Sequence, residues 1–215
     1  MTPSNSTPQP KPSGEKSSAP VSLRDAKPLE DQLREIYGRT AYSQKTHIIQ
    51  AGIYQNQNWR IKTGQIVLGA ITTGGLIITL FGKDNQIGLV VGAICSSLLT
   101  ALIAYTKDFD LGTLSEQHKR TADELWLIRE RYLSLLTDMQ SGAIQPADAI
   151  ALRDVLLDDL NKVYAPAKVT TGDAYGAAQS ALKHKEDLTF SDDEIDLMLP
   201  MSLRRNKDIK TPPAT

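Results

Sequence analysis

The chain has few of the residues from which catalytic and metal sites are built. It contains one cysteine, Cys95, and three histidines, His47, His118 and His184, among 215 residues. One cysteine forms no disulfide within the chain, and no histidine has a partner at the spacing of a zinc site. The glycine-rich phosphate loop and the serine elbow of hydrolases are also missing. The sequence therefore predicts no enzyme, no cofactor and no metal site.

Net charge and aromatic content are low as well. The formal net charge is −1, and aromatic residues make up 6% of the chain. No basic run interleaved with aromatic residues is present, so we expect no direct binding of nucleic acid. The acidic pairs Asp158–Asp159 and Asp192–Asp193 are predicted on helix surfaces or at a helix cap, where they carry no acid–base chemistry.

Apolar runs are missing from both ends of the chain. Residues 1–28 are rich in Ser, Pro, Thr and Lys and contain no apolar segment like that of a signal peptide. Such a composition buries too little surface to offset the entropy lost on ordering. Residues 1–28 and 204–215 are therefore predicted to be disordered tails.

Charge is missing from two long stretches in the middle of the chain. No charged residue lies between Lys62 and Lys83, or between Asp84 and Lys107. Each stretch approaches the roughly 20 residues that a helix needs to span a bilayer. We predict an all-α membrane protein whose transmembrane hairpin covers residues 61–107, with spans at about 63–81 and 87–106. The alternative, a buried hairpin in a soluble protein, is disfavoured because the remaining chain is too small to cover both helices.

The residues that flank the spans suit a membrane interface. The predicted interface anchors are Trp59, Arg60, Lys62, Tyr105 and Lys107. Aromatic rings favour the headgroup level, and basic residues are retained on the cytoplasmic side. Since most basic residues lie outside the turn between the spans, both termini are predicted to be cytoplasmic.

Small residues recur at every fourth position of the second span. The predicted helix-packing ridge is Gly88, Gly92, Ser96, Thr100 and Ala104, with Ala70 and Gly74 as a groove on the first span. Small residues let helix backbones approach closely in lipid. The ridge therefore predicts contact with another helix. The sequence leaves open whether that helix is the first span or belongs to a neighbouring subunit.

Hydroxyl side chains are the main polar groups within the spans. Thr72, Thr73, Thr79 and Ser97 would line a polar lumen if subunits assembled around one, although bonding to carbonyls of their own helix is the favoured interpretation. No ionisable residue lies inside either span. Any conduction is therefore expected through a poorly selective pore or a membrane-disrupting assembly.

Helical periodicity also marks the regions outside the spans. We predict a lead-in helix over residues 29–60 and a helical region over residues 108–203. A heptad seam in the latter is predicted to join subunits; it consists of Leu114, His118, Leu125, Ile128, Tyr132, Leu135 and Met139. His118 is interpreted as a polar residue that fixes the register, with titration near neutral pH as the alternative.

Several short motifs resemble the SLATT-domain family of two-span effectors. They are the lead-in Arg39–His47, the segment Thr121–Tyr132, Arg153-Asp154, Tyr164-Ala-Pro166, Ala174-Tyr175 and the ending Glu194–Arg204. The resemblance implies a membrane effector of bacterial antiphage defence that oligomerises, breaches the inner membrane as a multi-pass protein, and kills or arrests the infected cell (abortive infection). It implies as partners membrane lipid, further copies of the chain, and a nucleotide-second-messenger synthase, SLOG sensor or reverse transcriptase encoded nearby. It implies no catalytic residues. The alternative is a membrane-anchored scaffold that recruits a cytosolic partner without conducting.

Overall fold

The computed structural model describes residues 23–81, 86–185 and 187–206. This part of the chain is helical throughout its regular structure and contains no strand, so the predicted all-α class is confirmed there. The helices are α1 (Leu23–Phe81), α2 (Gln86–Asp108), α3 (Leu111–Ser141), α4 (Pro146–Tyr164), α5 (Gly172–His184) and α6 (Asp192–Met198), followed by a 3₁₀ turn at Met201–Leu203.

Helix α1 is continuous over 59 residues and contains both the predicted lead-in helix and the first predicted span. At about 1.5 Å per residue it is roughly 88 Å long. Gly38 and Gly52 do not interrupt it, because a single glycine costs a helix only about 1 kcal/mol. The helix begins at Leu23, upstream of the predicted start at residue 29, and residues 1–22 of the predicted tail lie outside the described part.

The first half of α1 packs along α3, and α4 and α5 complete a helical bundle. The buried positions in the first half of α1 include a row with spacings of four and three residues: Leu29, Leu33, Ile36, Thr40, Gln44, His47 and Ala51. Ala41, Thr46 and Gln50 are buried beside this row. The buried face is thus apolar at its start and becomes polar toward the predicted spans. Ile48, next to the buried His47, is 44% exposed although it is apolar.

Helix α2 returns along the last third of α1 and leads into α3 through a tight connection. Asp110 caps α3, since its carboxylate accepts hydrogen bonds from the Thr113 backbone N–H at 3.0 Å and from the Thr113 hydroxyl at 2.6 Å. Gly142, with φ of 72°, ends α3 in a left-handed conformation that glycine adopts without strain. Most of the predicted polar turn between the spans, residues 82–85, lies outside the described residues.

The C-terminal helix α6 is held by its own caps. Ser191 and Glu194 form the predicted capping box. The buried carboxylate of Asp196 accepts hydrogen bonds from the backbone N–H groups of Arg205 at 3.0 Å and Asn206 at 2.7 Å. Residues 204–206, at the start of the predicted tail, are therefore fixed against α6. The tail boundary at residue 204 stays a prediction. Residues 207–215 lie outside the described part.

Candidate functional site

The paired helices α1 and α2 present their apolar side chains outward. Each contains a window apolar enough to cross a membrane, and only 6% of each window is buried. Leu80, Phe81 and Ile87 near the tip are 78%, 87% and 75% exposed. A core helix of a soluble protein would be mostly buried, because exposed apolar surface in water costs about 25 cal/mol per Å². This exposure points to lipid as the surroundings of the pair.

Two heptad-spaced rows form the contact between α1 and α2. The α2 residues that are at least partly buried are Gly88, Gly92, Cys95, Leu99, Leu102 and Thr106. Ile61, Gln65, Leu68, Thr72, Gly75 and Thr79 form the matching row on α1. Spacings of four and three keep a row on one side of a helix, as in coiled coils.

Glycines set the closest approach of the two helices. A Cβ atom on Gly75 would lie 2.9 Å from the Gly88 carbonyl oxygen, and one on Gly88 would lie 3.1 Å from the Gly75 carbonyl oxygen. A Cβ atom on Gly74 would meet nothing within 4 Å. Gly75 thus occupies the position in the groove that the sequence analysis assigned to Gly74. Ala70, the other predicted groove residue, is exposed.

The predicted ridge is only partly used within the chain. Gly88 and Gly92 contact α1, whereas Ser96, Thr100 and Ala104 are exposed. The reason is geometric: a row of residues spaced by four drifts around an α-helix of 3.6 residues per turn, so its later members face away from α1. A contact of these three residues with another subunit stays a prediction.

The hydroxyl groups within the spans bond to their own helices. Thr72, Thr73, Thr79 and Ser97 each donate to the carbonyl oxygen four residues earlier, at 2.8–3.0 Å. This is the arrangement that the sequence analysis favoured over a lumen lining. A role for these hydroxyls in a lumen stays a prediction. A polar link between the helices was not foreseen: the Gln65 side chain donates to the Leu102 carbonyl and the Thr106 hydroxyl, each at 3.3 Å.

The predicted interface anchors lie at the bundle end of the paired helices and are exposed there. Trp59 is 67% and Tyr105 47% exposed, and Tyr105 stacks on Phe109 with ring centroids 5.0 Å apart. Arg60, Lys62 and Lys107 are exposed as well. Aromatic and basic side chains thus share one level, on the side of the pair that the bundle occupies.

The predicted assembly seam on α3 packs within one chain. Its members Leu125, Ile128, Tyr132 and Leu135 belong to the same buried cluster as Leu33 of α1, with Met139 packed against it. His118 is 1% exposed, and Leu114 is partly buried. Because this face is covered by the chain's own helices, a role in joining subunits would require the bundle to open, and that role stays a prediction.

A buried histidine pair joins α1 to α3 just below the paired helices. The Nδ1 atoms of His47 and His118 lie 2.9 Å apart, so one ring donates a hydrogen bond to the other. The Tyr54 ring lies beside His118, with centroids 5.6 Å apart. Burial, reinforced by the neighbouring His118, lowers the pKa of His47 to about 4. Burial also lowers the pKa of His118. Both rings are therefore neutral at pH 7.

Other polar contacts tie the bundle together on the polar part of the α1 face. The Gln44 side-chain oxygen accepts from the Arg129 guanidinium at 2.7 Å. The Gln50 oxygen accepts from the Thr171 backbone N–H at 2.9 Å and from the Thr171 hydroxyl at 2.7 Å, at the start of α5. The sequence analysis missed these contacts and the histidine pair. The heptad spacing of Thr40, Gln44 and His47 with the apolar Leu33 and Ile36 was the available signal.

The described residues contain no cluster of three or more His, Cys, Asp or Glu side chains suited to a metal ion. A family model describes most of the chain instead. The model for the SMODS and SLOG-associating 2TM effector domain family 4 matches residues 29–194. The chain belongs to this family. No curated protein and no solved structure matches it.

Membership in the SMODS and SLOG-associating 2TM effector family confirms the resemblance read from the sequence. Together with the two exposed apolar helices, it points to a membrane protein. The family is one of effector domains and is not a known enzyme family, which implies an effector role in a conflict or defence system. Its name also implies association with SMODS and SLOG proteins. The matched range covers α2 to α5 entirely and ends within α6.

Proposed function

We propose that this chain is a membrane effector of bacterial antiphage defence that oligomerises in the inner membrane and permeabilises it on an upstream, nucleotide-type signal. The observation that carries the proposal is the outward-facing apolar surface of the α1–α2 pair: only 6% of the most apolar window of each helix is buried. In this proposal the pair crosses the membrane, the bundle and both termini are cytoplasmic, and the infected cell dies or stops growing.

The position of the interface anchors along the paired helices supports the proposal that the bundle is cytoplasmic. Trp59 and Tyr105 lie at the same end of the pair, beside Arg60 and Lys107. Rings at the headgroup level and basic residues in the cytoplasm are the arrangement that membrane insertion favours. The bundle lies on that basic side. A cytoplasmic bundle is also the part that a cytosolic signal would reach.

Permeabilisation requires more than one copy, because two helices do not enclose a water path. The exposed half of the small-residue ridge, Ser96, Thr100 and Ala104, offers a surface for a second copy. Conduction through such an assembly would be poorly selective, since the described parts of both spans contain no Asp, Glu, Lys, Arg or His between Thr63 and Phe81 or between Ile87 and Thr106.

The test is to express the chain in bacteria alone and together with its neighbouring genes, while following growth and a potential-sensitive dye. We expect growth arrest to coincide with depolarisation once the system is activated. Ala104→Leu should abolish both by blocking close helix approach, whereas Ala104→Ser keeps the side chain small and should retain both. Growth without depolarisation under every activating condition would contradict the proposal.

A membrane-anchored scaffold is the second candidate function, and exposed apolar side chains on the bundle favour it. Trp126, Leu152 and Val155 are 50%, 46% and 56% exposed, a surface that suits a cytosolic partner. Replacing residues 63–106 with an unrelated transmembrane hairpin separates the two functions. A scaffold would retain its activity in the chimera, whereas a permeabilising effector would lose it.

A further inference from the structure

A groove of about 830 Å³ opens on the bundle between α1, α4 and α5. Ligand sites in proteins commonly enclose about 300–1,000 Å³. Ile36 and Thr40 of α1, Leu160 of α4 and Gln179 of α5 are among its lining residues. The groove is therefore large enough for a small organic ligand that would contact three helices at once.

Three tyrosines line the groove, one from each helix. They are Tyr42 of α1, Tyr164 of α4 and Tyr175 of α5. Tyr42 and Tyr175 lie beside each other with ring centroids 6.4 Å apart, and Tyr175 is 53% exposed. Tyrosine rings at the surface of a cleft provide flat faces on which a planar ring stacks. The side-chain amide of Gln179 supplies a donor and an acceptor for the edge of such a ring.

The charged residues of the groove favour an anion. Lys183 lies in the last turn of α5 and forms no ion pair with another described residue. Among the described residues, Arg39 is engaged only by Glu35, at 3.7 Å, in a pair whose side chains are about 70% exposed. Exposed pairs of this kind contribute less than about 1 kcal/mol, so an incoming phosphate can displace the carboxylate. Two cations thus face the groove against one carboxylate.

We propose that this groove binds a nucleotide, whose base stacks on the tyrosines and whose phosphate is held by Lys183 and Arg39. The assignment rests on the proposed function for its physiological meaning, because a nucleotide would then be the activating signal. The binding itself is independent of the proposed function, because it follows from the aromatic, amide and basic groups that line the groove.

Binding would act on the membrane part through α1. Arg39 lies 24 residues before Thr63 on the same unbroken helix, a distance of roughly 36 Å at about 1.5 Å per residue. Helix α5 is tied to α1 through Gln50 and Thr171, and α4 packs mainly on α3. A ligand that contacts all three helices would therefore fix how α4 and α5 sit on the helix that continues into the first span.

Isothermal titration of the full chain in lipid nanodiscs tests the site without any readout of membrane damage. The probes are AMP, cyclic di-AMP and cyclic di-GMP. Adenosine, which has a base but no phosphate, and pyrophosphate, which has the phosphate charge but no base, serve as controls. We expect saturable binding of at least one nucleotide, about tenfold tighter than either part. Lys183→Glu should weaken it at least about tenfold, whereas Lys168→Glu, outside the groove, should leave it unchanged.

Glu35→Gln should tighten nucleotide binding severalfold, because it removes the one carboxylate among the described residues that line the groove and frees Arg39. A gain in affinity cannot result from misfolding. The proposal is overturned if none of the three nucleotides binds saturably, or if Lys183→Glu and Glu35→Gln leave the affinity unchanged. Binding with these responses but no depolarisation in activated cells would refute the proposed function and leave the site standing. Depolarisation in activated cells without nucleotide binding would refute the binding site and leave the proposed function standing.

Discussion

The bundle and the paired apolar helices are built on the same packing pattern but surrounded differently. In both, residues spaced by four and three along α1 meet a neighbouring helix: Leu33, Ile36 and Thr40 in the bundle, and Leu68, Thr72 and Gly75 in the pair. In the bundle, the outward positions carry charged residues, such as Arg120 and Glu124. In the pair, they carry Ile, Leu and Val.

The comparison shows that the residues on the inner face of a helix depend on the neighbouring helix, whereas the residues on its outer face depend on the surrounding solvent. A helix that passes from water into lipid, as we propose for α1, changes its outer face and keeps its inner spacing. The contact itself also changes. Leucine and tyrosine fill the bundle core, whereas glycine and threonine let the paired helices approach closely.

The largest effect is expected in the bundle core. Leu125 is fully buried, whereas Leu127 on the same helix is 45% exposed. Leu125→Ala should lower the free energy of unfolding by about 2–5 kcal/mol, because it removes buried methyl groups and leaves a cavity. Leu127→Ala should change it by less than about 0.5 kcal/mol. Thermal unfolding of the purified chain, followed by circular dichroism, measures both. Equal effects would mean that α3 does not pack as described.

A charge on the outer face of the pair tests the proposed solvent directly. Leu98 of α2 and Val155 of α4 are similarly exposed, at 52% and 56%. In the proposed arrangement, however, Leu98 faces lipid and Val155 faces water. Leu98→Arg should oppose membrane insertion by about 2.5–3.5 kcal/mol, whereas Val155→Arg should be tolerated. The fraction of chain that resists extraction from membranes by alkaline carbonate is the measurement. If Leu98→Arg stays fully inserted, or wild-type chain is found in the supernatant, lipid does not surround α2.

The contact within the pair is expected to respond more weakly, and at only one of two adjacent glycines of α1. Gly75 and Gly74 are neighbours, but only a Cβ atom on Gly75 would meet the α2 backbone. Gly75→Ala should destabilise the pair by about 1–3 kcal/mol through overpacking. Gly74→Ala should be neutral or slightly stabilising, since alanine favours a helix over glycine. Disulfide cross-linking between cysteines placed at Thr72 and Gly92, in a chain with Cys95 changed to Ser, would report how closely the helices approach. The prediction fails if both variants cross-link as efficiently as the parent.

Most of the fold was accessible from the sequence because its signals are local. Absence of charge located both apolar helices, Pro146 marked the start of α4, and Ser191 with Glu194 marked the start of α6. Each is decided by a residue and its near neighbours in the chain. The continuity of α1 was less accessible, since a polar run such as Gln55–Asn58 suits both a helix and a loop.

The candidate sites were less accessible because they join residues far apart in the chain. The pairing of His47 with His118, the groove between α1, α4 and α5, and the shift from Gly74 to Gly75 all depend on how helices pack. The ridge is a similar case: Gly88 and Gly92 contact α1, whereas Ser96, Thr100 and Ala104 are exposed, and their contact with another subunit stays a prediction. Spacing by four marks small residues, but two helices in contact over several turns need alternating spacings of four and three.

The histidine pair connects the two regions and gives the smallest expected effect. In the unfolded chain, the pKa of His47 is 6.5, so the side chain binds a proton as the pH falls below that value. In the folded chain the pKa is about 4, so the proton is bound only at lower pH. Between these values the unfolded state holds more protons, so the free energy of unfolding falls as the pH falls from 6.5 toward 4. At pH 5.5, one unit below the unfolded pKa, the loss from His47 is about 1.4 kcal/mol. Above about pH 7.5, where the unfolded chain has also released this proton, the contribution is constant.

Unfolding of the purified chain at pH 7 and pH 5.5 measures this difference. His47→Gln should remove the share of the pH dependence that comes from His47, because glutamine keeps a hydrogen-bonding group beside His118 and does not titrate in this range. The share from His118, whose pKa is also lowered by burial, would remain. His184→Gln, at an exposed histidine outside the pair, serves as the matched control for the loss of one imidazole. If His47→Gln retains the full dependence, the proton is taken up elsewhere. The pair would then act only as a packing contact between α1 and α3.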